Sequence, residues 1–136
     1  MLGILIIAHG NLGHSLLECA KHVLGELPER VAAIEVYMFD NEATMISRLW
    51  PAVEAIDSGD GVLILSDIFG ATPCNIAARL MERGKVEAIS GVNVPMVLRA
   101  ISHRNLPLQM AVAKVMHGAR EGIIRLSTDQ CYGEEA

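Results

Sequence analysis

Aromatic residues are scarce in this sequence, at 4% of its 136 residues. With so few rings, the core must be built from aliphatic side chains, which suits a buried parallel sheet covered by helices. The apolar run at residues 2–8 is far too short to span a membrane, and it lacks the basic leader and cleavage site of a signal peptide. We therefore expect a cytoplasmic protein that inserts no segment into a membrane.

Positive charge and cysteine are limited as well. The formal net charge is −5, and Lys and Arg are scattered singly along the chain. No aromatic residues interleave with them to stack on bases, so the composition argues against binding to nucleic acid. The three cysteines, Cys19, Cys74 and Cys131, form no CxxC pair that would suggest zinc or a redox motif. We expect reduced thiols and no bound metal.

Aliphatic residues are abundant, and the 51% hydrophobic content is enough for the core of a single domain at residues 1–136. Strand-length apolar runs alternate with segments of helical period. Strands are predicted at residues 2–8, 31–38, 62–65 and 85–90, and helices at 12–24, 42–56, from 72 onward, 95–102 and 106–119. Residues 123–126 could add a last strand, and the tail from about residue 127 is expected to be flexible.

This alternation with short links predicts an α/β fold with a doubly wound parallel sheet and helices on both faces. The helix starts carry local signals. Asp40 or Asn41 is expected to cap the second helix. Thr72 is expected to cap the third, with Pro73 at its first position.

The residues that end two strands suggest chemistry. In an open doubly wound sheet the functional crevice lies at the carboxyl ends of strands, where the winding reverses. His9 ends the first strand and Asp67 the third, so the two side chains face each other if these strands are neighbours. A carboxylate that holds one ring nitrogen raises the nucleophilicity of the other, which can then attack phosphorus.

A turn of small residues follows Asp67. Backbone N–H groups of Gly70, Ala71 and Thr72, at the start of a helix, could bind phosphoryl oxygens, and the Thr72 hydroxyl could add a further donor. Gly10 allows a tight turn after His9 without a side chain that blocks a partner. The sequence contains neither a full GxGxxG fingerprint nor a P-loop.

Three motifs in this order and spacing resemble the mannose-family enzyme IIA domain of the bacterial sugar phosphotransferase system. They are Ala8-His9-Gly10, Asp67-Ile-Phe-Gly-Ala-Thr-Pro-Cys-Asn75 and Gly91-Val-Asn-Val-Pro-Met96. The resemblance implies a four-stranded parallel sheet in the order 2-1-3-4. It also implies a homodimer that exchanges a C-terminal strand, here residues 121–126.

The resemblance further implies a phosphotransferase component whose His9 accepts phosphate from the phosphocarrier HPr and passes it to a IIB component. Asp67 would orient the His9 ring, and no cofactor is needed. Gly10, Phe69 and Asn93 are expected to border the site or to contact a partner.

The sequence of this turn is Gly70-Ala71-Thr72-Pro73-Cys74-Asn75, which differs from the usual family motif Gly-Gly-Ser-Pro-Phe-Asn. Thr72 keeps the hydroxyl, and Ala71 keeps a small residue provided that its φ is not positive. Cys74 replaces an aromatic residue. This change bears on partner contacts more than on the chemistry.

Other interpretations remain open from the sequence. A histidine at the end of a buried strand, such as His9, is more often structural than catalytic. The other histidines are expected to be surface residues: His14, His22, His103 and His117. The same chemistry could serve a regulatory phosphorelay or the phosphodonor subunit of a dihydroxyacetone kinase. A non-catalytic doubly wound domain that binds a nucleotide or a protein is the alternative of another class.

Overall fold

The computed structural model describes residues 1–37, 41–81 and 85–128. Its strands are β1 (Gly3–His9), β2 (Val31–Val36), β3 (Val62–Ser66) and β4 (Val86–Ile89). Its helices are α1 (Leu12–Leu24), α2 (Glu42–Ile56), α3 (Thr72–Met81), α4 (Val94–Ser102) and α5 (Leu108–Glu121). All strand pairs are parallel and the order is β2-β1-β3-β4, which confirms the predicted α/β fold and topology.

The core lies on both faces of the sheet. One cluster joins β1 and β3 to α1, α4 and α5, with Leu16, Val97 and Val115 among its members. A second cluster joins the other face to α2 and α3 through Leu49 and Ile76. Because the central strands are covered on both sides, residues 4–8 of β1 are fully buried, and this explains their unbroken aliphatic sequence.

Hydrogen bonds at the helix starts decide the two capping predictions. The Asn41 side chain accepts from the Thr44 N–H at 3.1 Å and caps α2, while Asp40 lies outside the described residues. At α3 the Ala71 carbonyl accepts from the Asn75 N–H at 3.0 Å. Ala71 therefore takes the cap position, and the prediction of Thr72 as the cap was wrong by one residue.

The later helices are also shifted. α4 begins at Val94, one residue early, because Asn93 caps it. The Pro107 carbonyl accepts from the Ala111 N–H at 2.9 Å, so α5 begins at Leu108 and not at residue 106. β2 ends at Val36, and Met38, the predicted end, lies outside the described residues.

The predicted last strand does not form within the chain. Glu121 is the final residue of α5, and residues 123–127 have no regular secondary structure. A β-strand is held by backbone hydrogen bonds to a neighbouring strand, and these residues pair with no strand of the described chain. Within the described ranges, no helix combines the length and the apolar character needed to cross a bilayer.

Candidate active site

The site lies where the winding of the sheet reverses. β1 and β3 are neighbours at its centre, and their register pairs Ile7 with Ser66. His9 is the last residue of β1 and Asp67 follows β3 directly, so both lie at the carboxyl edge. The chain continues to β2 on one side and to β4 on the other, which opens the crevice at this point.

His9 and Asp67 are joined by two hydrogen bonds to one carboxylate oxygen. The Asp67 Oδ2 lies 2.7 Å from the His9 Nδ1 and accepts from the His9 backbone N–H at 3.0 Å. Its Oδ1 accepts from the Ile68 N–H at 2.9 Å. Since an ionised carboxylate can only accept, Nδ1 carries a hydrogen, and in the neutral imidazole Nε2 then has the free lone pair.

The two members of this pair differ in exposure. The His9 side chain is 47% exposed, whereas that of Asp67 is 8% exposed. Burial by itself would raise the pKa of Asp67, but the hydrogen bonds from the His9 backbone and side chain and from the Ile68 N–H outweigh it and hold the pKa below its ordinary value. At neutral pH the carboxylate is ionised, which keeps the hydrogen on Nδ1.

Three glycines turn the chain at this edge of the sheet. Gly10, Gly70 and Gly91 have φ values of 53°, 83° and 82°, in the left-handed region that favours glycine. The Gly91 N–H donates to the Asp67 carbonyl at 3.1 Å, so the loop after β4 holds the backbone beside the carboxylate. The site therefore rests on backbone bonds as well as on its side chains.

The turn after Asp67 offers fewer donors than the sequence predicts. The Ala71 N–H donates to the Ile68 carbonyl at 3.3 Å, so it closes the turn. The N–H groups of Gly70, Thr72 and Cys74 donate to no acceptor in the described part of the chain. Arg30 is the only non-glycine residue with positive φ in that part, so the condition placed on Ala71 is met.

The residues expected at the rim fall into two groups. Phe69 is 86% exposed, and Ile68 and Leu12 are exposed too. In the sequence, Ile68 and Phe69 follow Asp67 directly, and Leu12 comes three residues after His9. Asn93 instead serves the fold, because its Oδ1 accepts from the Met96 N–H at 2.8 Å and its Nδ2 donates to the Ala119 carbonyl at 3.4 Å. Asn93 therefore joins the start of α4 to the end of α5.

Sequence reasoning missed a second polar cluster near the start of α1. The His14 Nε2 lies 3.5 Å from the Glu35 Oε1, and the Tyr37 hydroxyl donates to the same carboxylate. Only the register between β1 and β2, which pairs Ala8 with Glu35, could have indicated this contact. The described residues contain no group of three or more His, Cys, Asp and Glu side chains placed to hold a metal.

Together, the fold and this edge define an open doubly wound α/β domain with a solvent-accessible histidine held by a buried carboxylate. Residues 3–118 match the family described as "PTS system fructose IIA component", where PTS is the phosphotransferase system. The chain belongs to this EIIA family of the phosphotransferase system.

Named relatives agree with this assignment. The mannose-specific EIIAB component of Escherichia coli strain K12 is 32% identical over 125 residues, which cover 90% of this chain and 38% of that protein. The chain thus spans well under half of that relative. The fructose-specific EIIA component of Bacillus subtilis strain 168 is 30% identical over 105 residues, or 76% of this chain and 71% of the relative.

A solved structure also shares the fold. The phosphotransferase system component EIIA from Streptococcus agalactiae superposes with a TM-score of 0.84 at 28% sequence identity. The superposition covers 94% of this chain and 99% of the other. The shared architecture therefore extends over nearly the whole described chain.

Proposed function

We propose that this protein is a cytoplasmic phosphoryl carrier whose His9 Nε2 accepts phosphate from HPr and passes it to a IIB component. The observation that carries the proposal is the 2.7 Å contact between the His9 Nδ1 and the Asp67 Oδ2. It leaves the other ring nitrogen with a lone pair on a half-exposed side chain. Family membership supports a phosphocarrier role in the phosphotransferase system.

The transfer step is an in-line displacement at phosphorus. The Nε2 lone pair forms the new N–P bond while the bond between phosphorus and the donor nitrogen breaks, and the donor keeps that electron pair. The proton on Nδ1 stays in place throughout. The ring becomes cationic as the bond forms, and the ionised Asp67 stabilises that charge. The reverse sequence passes the group onward.

Donors for the phosphoryl oxygens are available in the turn after Asp67. We assign this role to the N–H groups of Gly70 and Thr72 and to the Thr72 hydroxyl, and we exclude the Ala71 N–H because it closes the turn. The N-terminus of α3 adds a favourable dipole. Phe69, which is exposed at the rim, gives a partner an apolar anchor.

The test is phosphate transfer from phosphoenolpyruvate through enzyme I and HPr. We expect an acid-labile, base-stable phosphate on His9 in mass spectra, and we expect it to disappear when a mannose-family IIB component is added. Passage to dihydroxyacetone in a reconstituted kinase would identify the kinase-subunit alternative. A folded protein that takes up no phosphate from HPr would contradict the carrier role.

We also propose that a second copy pairs with β4 through residues 123–126. β4 is an edge strand, and Ile123, Ile124 and Leu126 are exposed in the single chain. Exchange of this segment between two copies would pair the free backbone N–H and C=O groups at the edge of β4 and would bury these side chains. Light scattering after gel filtration should give a dimer, and Ile124→Asp with Leu126→Asp should give a monomer. A monomeric wild-type protein at micromolar concentration would disprove the exchange.

A further inference from the structure

The loop that follows β4, residues 90–93, holds the backbone beside the catalytic carboxylate at two points. Its Val92 N–H donates to the Ser66 carbonyl at 2.9 Å. Its Gly91 N–H donates to the Asp67 carbonyl at 3.1 Å. The loop therefore fixes the stretch of main chain that carries the Asp67 side chain.

A single peptide group links this loop to the carboxylate. The peptide between Asp67 and Ile68 contains the carbonyl that accepts from Gly91. It also contains the Ile68 N–H, which donates to the Asp67 Oδ1 at 2.9 Å. Because a peptide group is planar, its carbonyl and its N–H can only turn together. A rotation that broke the Gly91 bond would therefore also displace the N–H that holds the carboxylate.

Asn93, the last residue of the loop, is bonded to two helices. Its Oδ1 accepts from the Met96 N–H at 2.8 Å at the start of α4, and its Nδ2 donates to the Ala119 carbonyl of α5 at 3.4 Å. A Cβ on Gly122 would lie 2.5 Å from the Pro95 Cβ, so the end of α5 packs closely against the start of α4. The Asn93 side chain thus anchors the loop to a closely packed pair of helices.

The conformation of Gly91 turns its N–H towards Asp67. Its φ of 82° lies in the region that L side chains rarely adopt. A Cβ at this position would meet nothing within 4 Å, so space does not explain the glycine. The backbone conformation alone requires it, and that conformation is the one that makes the bond to Asp67.

We propose, as an inference that rests on the proposed function, that Asn93 is a positioning residue for phosphate transfer, because it anchors the loop whose Gly91 N–H sets the direction of the Asp67 carboxylate. When this carboxylate faces the ring, the hydrogen stays on the His9 Nδ1 and the Nε2 lone pair is available in the neutral ring. A displaced carboxylate leaves both tautomers populated. A displacement of about 1 Å in a site of this kind can slow a reaction about 100-fold.

The first experiment compares the same substitution at two capping asparagines. Asn93→Ser keeps an oxygen that can cap α4, but its shorter side chain does not reach the Ala119 carbonyl. The control is Asn41→Ser, because Asn41 caps α2 by accepting from the Thr44 N–H at 3.1 Å. Two quantities are measured: the single-turnover rate of His9 labelling at increasing HPr concentrations, and the position of the ring hydrogen by heteronuclear NMR.

We expect Asn93→Ser to lower the maximal labelling rate about tenfold, while the HPr concentration that gives half of this rate stays unchanged. The neutral His9 ring of the wild type should carry its hydrogen on Nδ1, whereas part of the variant should carry it on Nε2. Asn41→Ser should match the wild type in both measurements. A purely structural role of Asn93 would change the thermal melt but neither the maximal rate nor the tautomer.

A second pair of variants tests the backbone of the loop. Gly91→Val places a β-branched residue at a left-handed φ, and Gly25→Val does the same at a φ of 91° after α1. A Cβ at either position would meet nothing within 4 Å, so the two substitutions impose matched backbone strain. Since α1 spans about 20 Å, Gly25 lies far from His9. Only Gly91→Val should slow labelling and move the ring hydrogen.

A wild-type maximal rate or a wild-type tautomer in Asn93→Ser would overturn the inference, as would equal changes in Asn41→Ser. Wild-type behaviour of Gly91→Val, or equal changes in Gly25→Val, would also overturn it, because the loop would then not direct Asp67. Failure of the proposed function is seen separately, since HPr would leave wild-type His9 unlabelled. The NMR measurement needs no phosphate and would still report whether Asn93 controls the ring hydrogen.

Discussion

His9→Ala should take up no phosphate from HPr while remaining folded. The substitution removes the imidazole that contacts Asp67 at the carboxyl edge of β1 and β3, and with it the proposed acceptor nitrogen. The fold should survive because Asp67 keeps its bonds to the His9 backbone N–H and to the Ile68 N–H. We expect a loss of roughly 1 kcal/mol in the free energy of unfolding for the missing side-chain bond.

The matched control is His14→Ala. His14 is another half-exposed histidine near a carboxylate, but its Nε2 lies 3.5 Å from Glu35, and it lies in the first turn of α1 instead of ending a strand. This variant should be labelled at the wild-type rate. Mass spectra of the intact proteins, together with thermal melts, give both readouts. Normal labelling of His9→Ala, or loss of labelling in His14→Ala alone, would place the acceptor elsewhere.

The ring nitrogen that carries the phosphate provides a more specific test of the proposed transfer step. Because Nδ1 is held by Asp67, the group should reside on Nε2. Heteronuclear NMR of the labelled protein distinguishes the two isomers. A phosphate on Nδ1 would mean that the His9–Asp67 bond breaks before transfer, which would contradict the proposed step.

The sheet and the pair of site residues could be predicted from sequence for a physical reason. A strand covered on both faces must be largely aliphatic, so β1 and β3 appear in the sequence as apolar runs. The first run leads to His9, and the second is followed by Ser66 and Asp67. Parallel order then brings the two ends together. An apolar run consists of consecutive residues, so the sequence alone is enough to identify it.

Three features could not be predicted because each depends on a backbone conformation or a strand pairing that the residue pattern does not specify. The role of the Ala71 N–H depends on the turn that Gly70 allows with its positive φ. The contact between His14 and Glu35 depends on the register of β2. The sequence of residues 123–126 has the pattern of a strand, but a strand forms only when it pairs with another strand, and these residues pair with none in the described chain.

Asp67→Asn should slow transfer by roughly 10²- to 10⁴-fold without unfolding the protein. An amide has one acceptor oxygen where the carboxylate has two. If that oxygen faces His9, the amide nitrogen points at the Ile68 N–H, and two donors meet. If it faces Ile68, the amide donates to the His9 Nδ1, so the hydrogen moves to Nε2 and the nucleophilic lone pair is lost.

The control for this substitution is Asp57→Asn. The Asp57 Oδ1 accepts from the Gly59 and Gly61 N–H groups at 2.8 and 3.1 Å in the turn before β3, at the far end of that strand from His9. A single amide oxygen can keep both bonds, so this variant should transfer at the wild-type rate. Single-turnover labelling by HPr measures the rates, and thermal melts establish that both variants are folded. If Asp67→Asn is labelled as fast as the wild type, the carboxylate does not set the tautomer of His9, and the 2.7 Å contact is structural only.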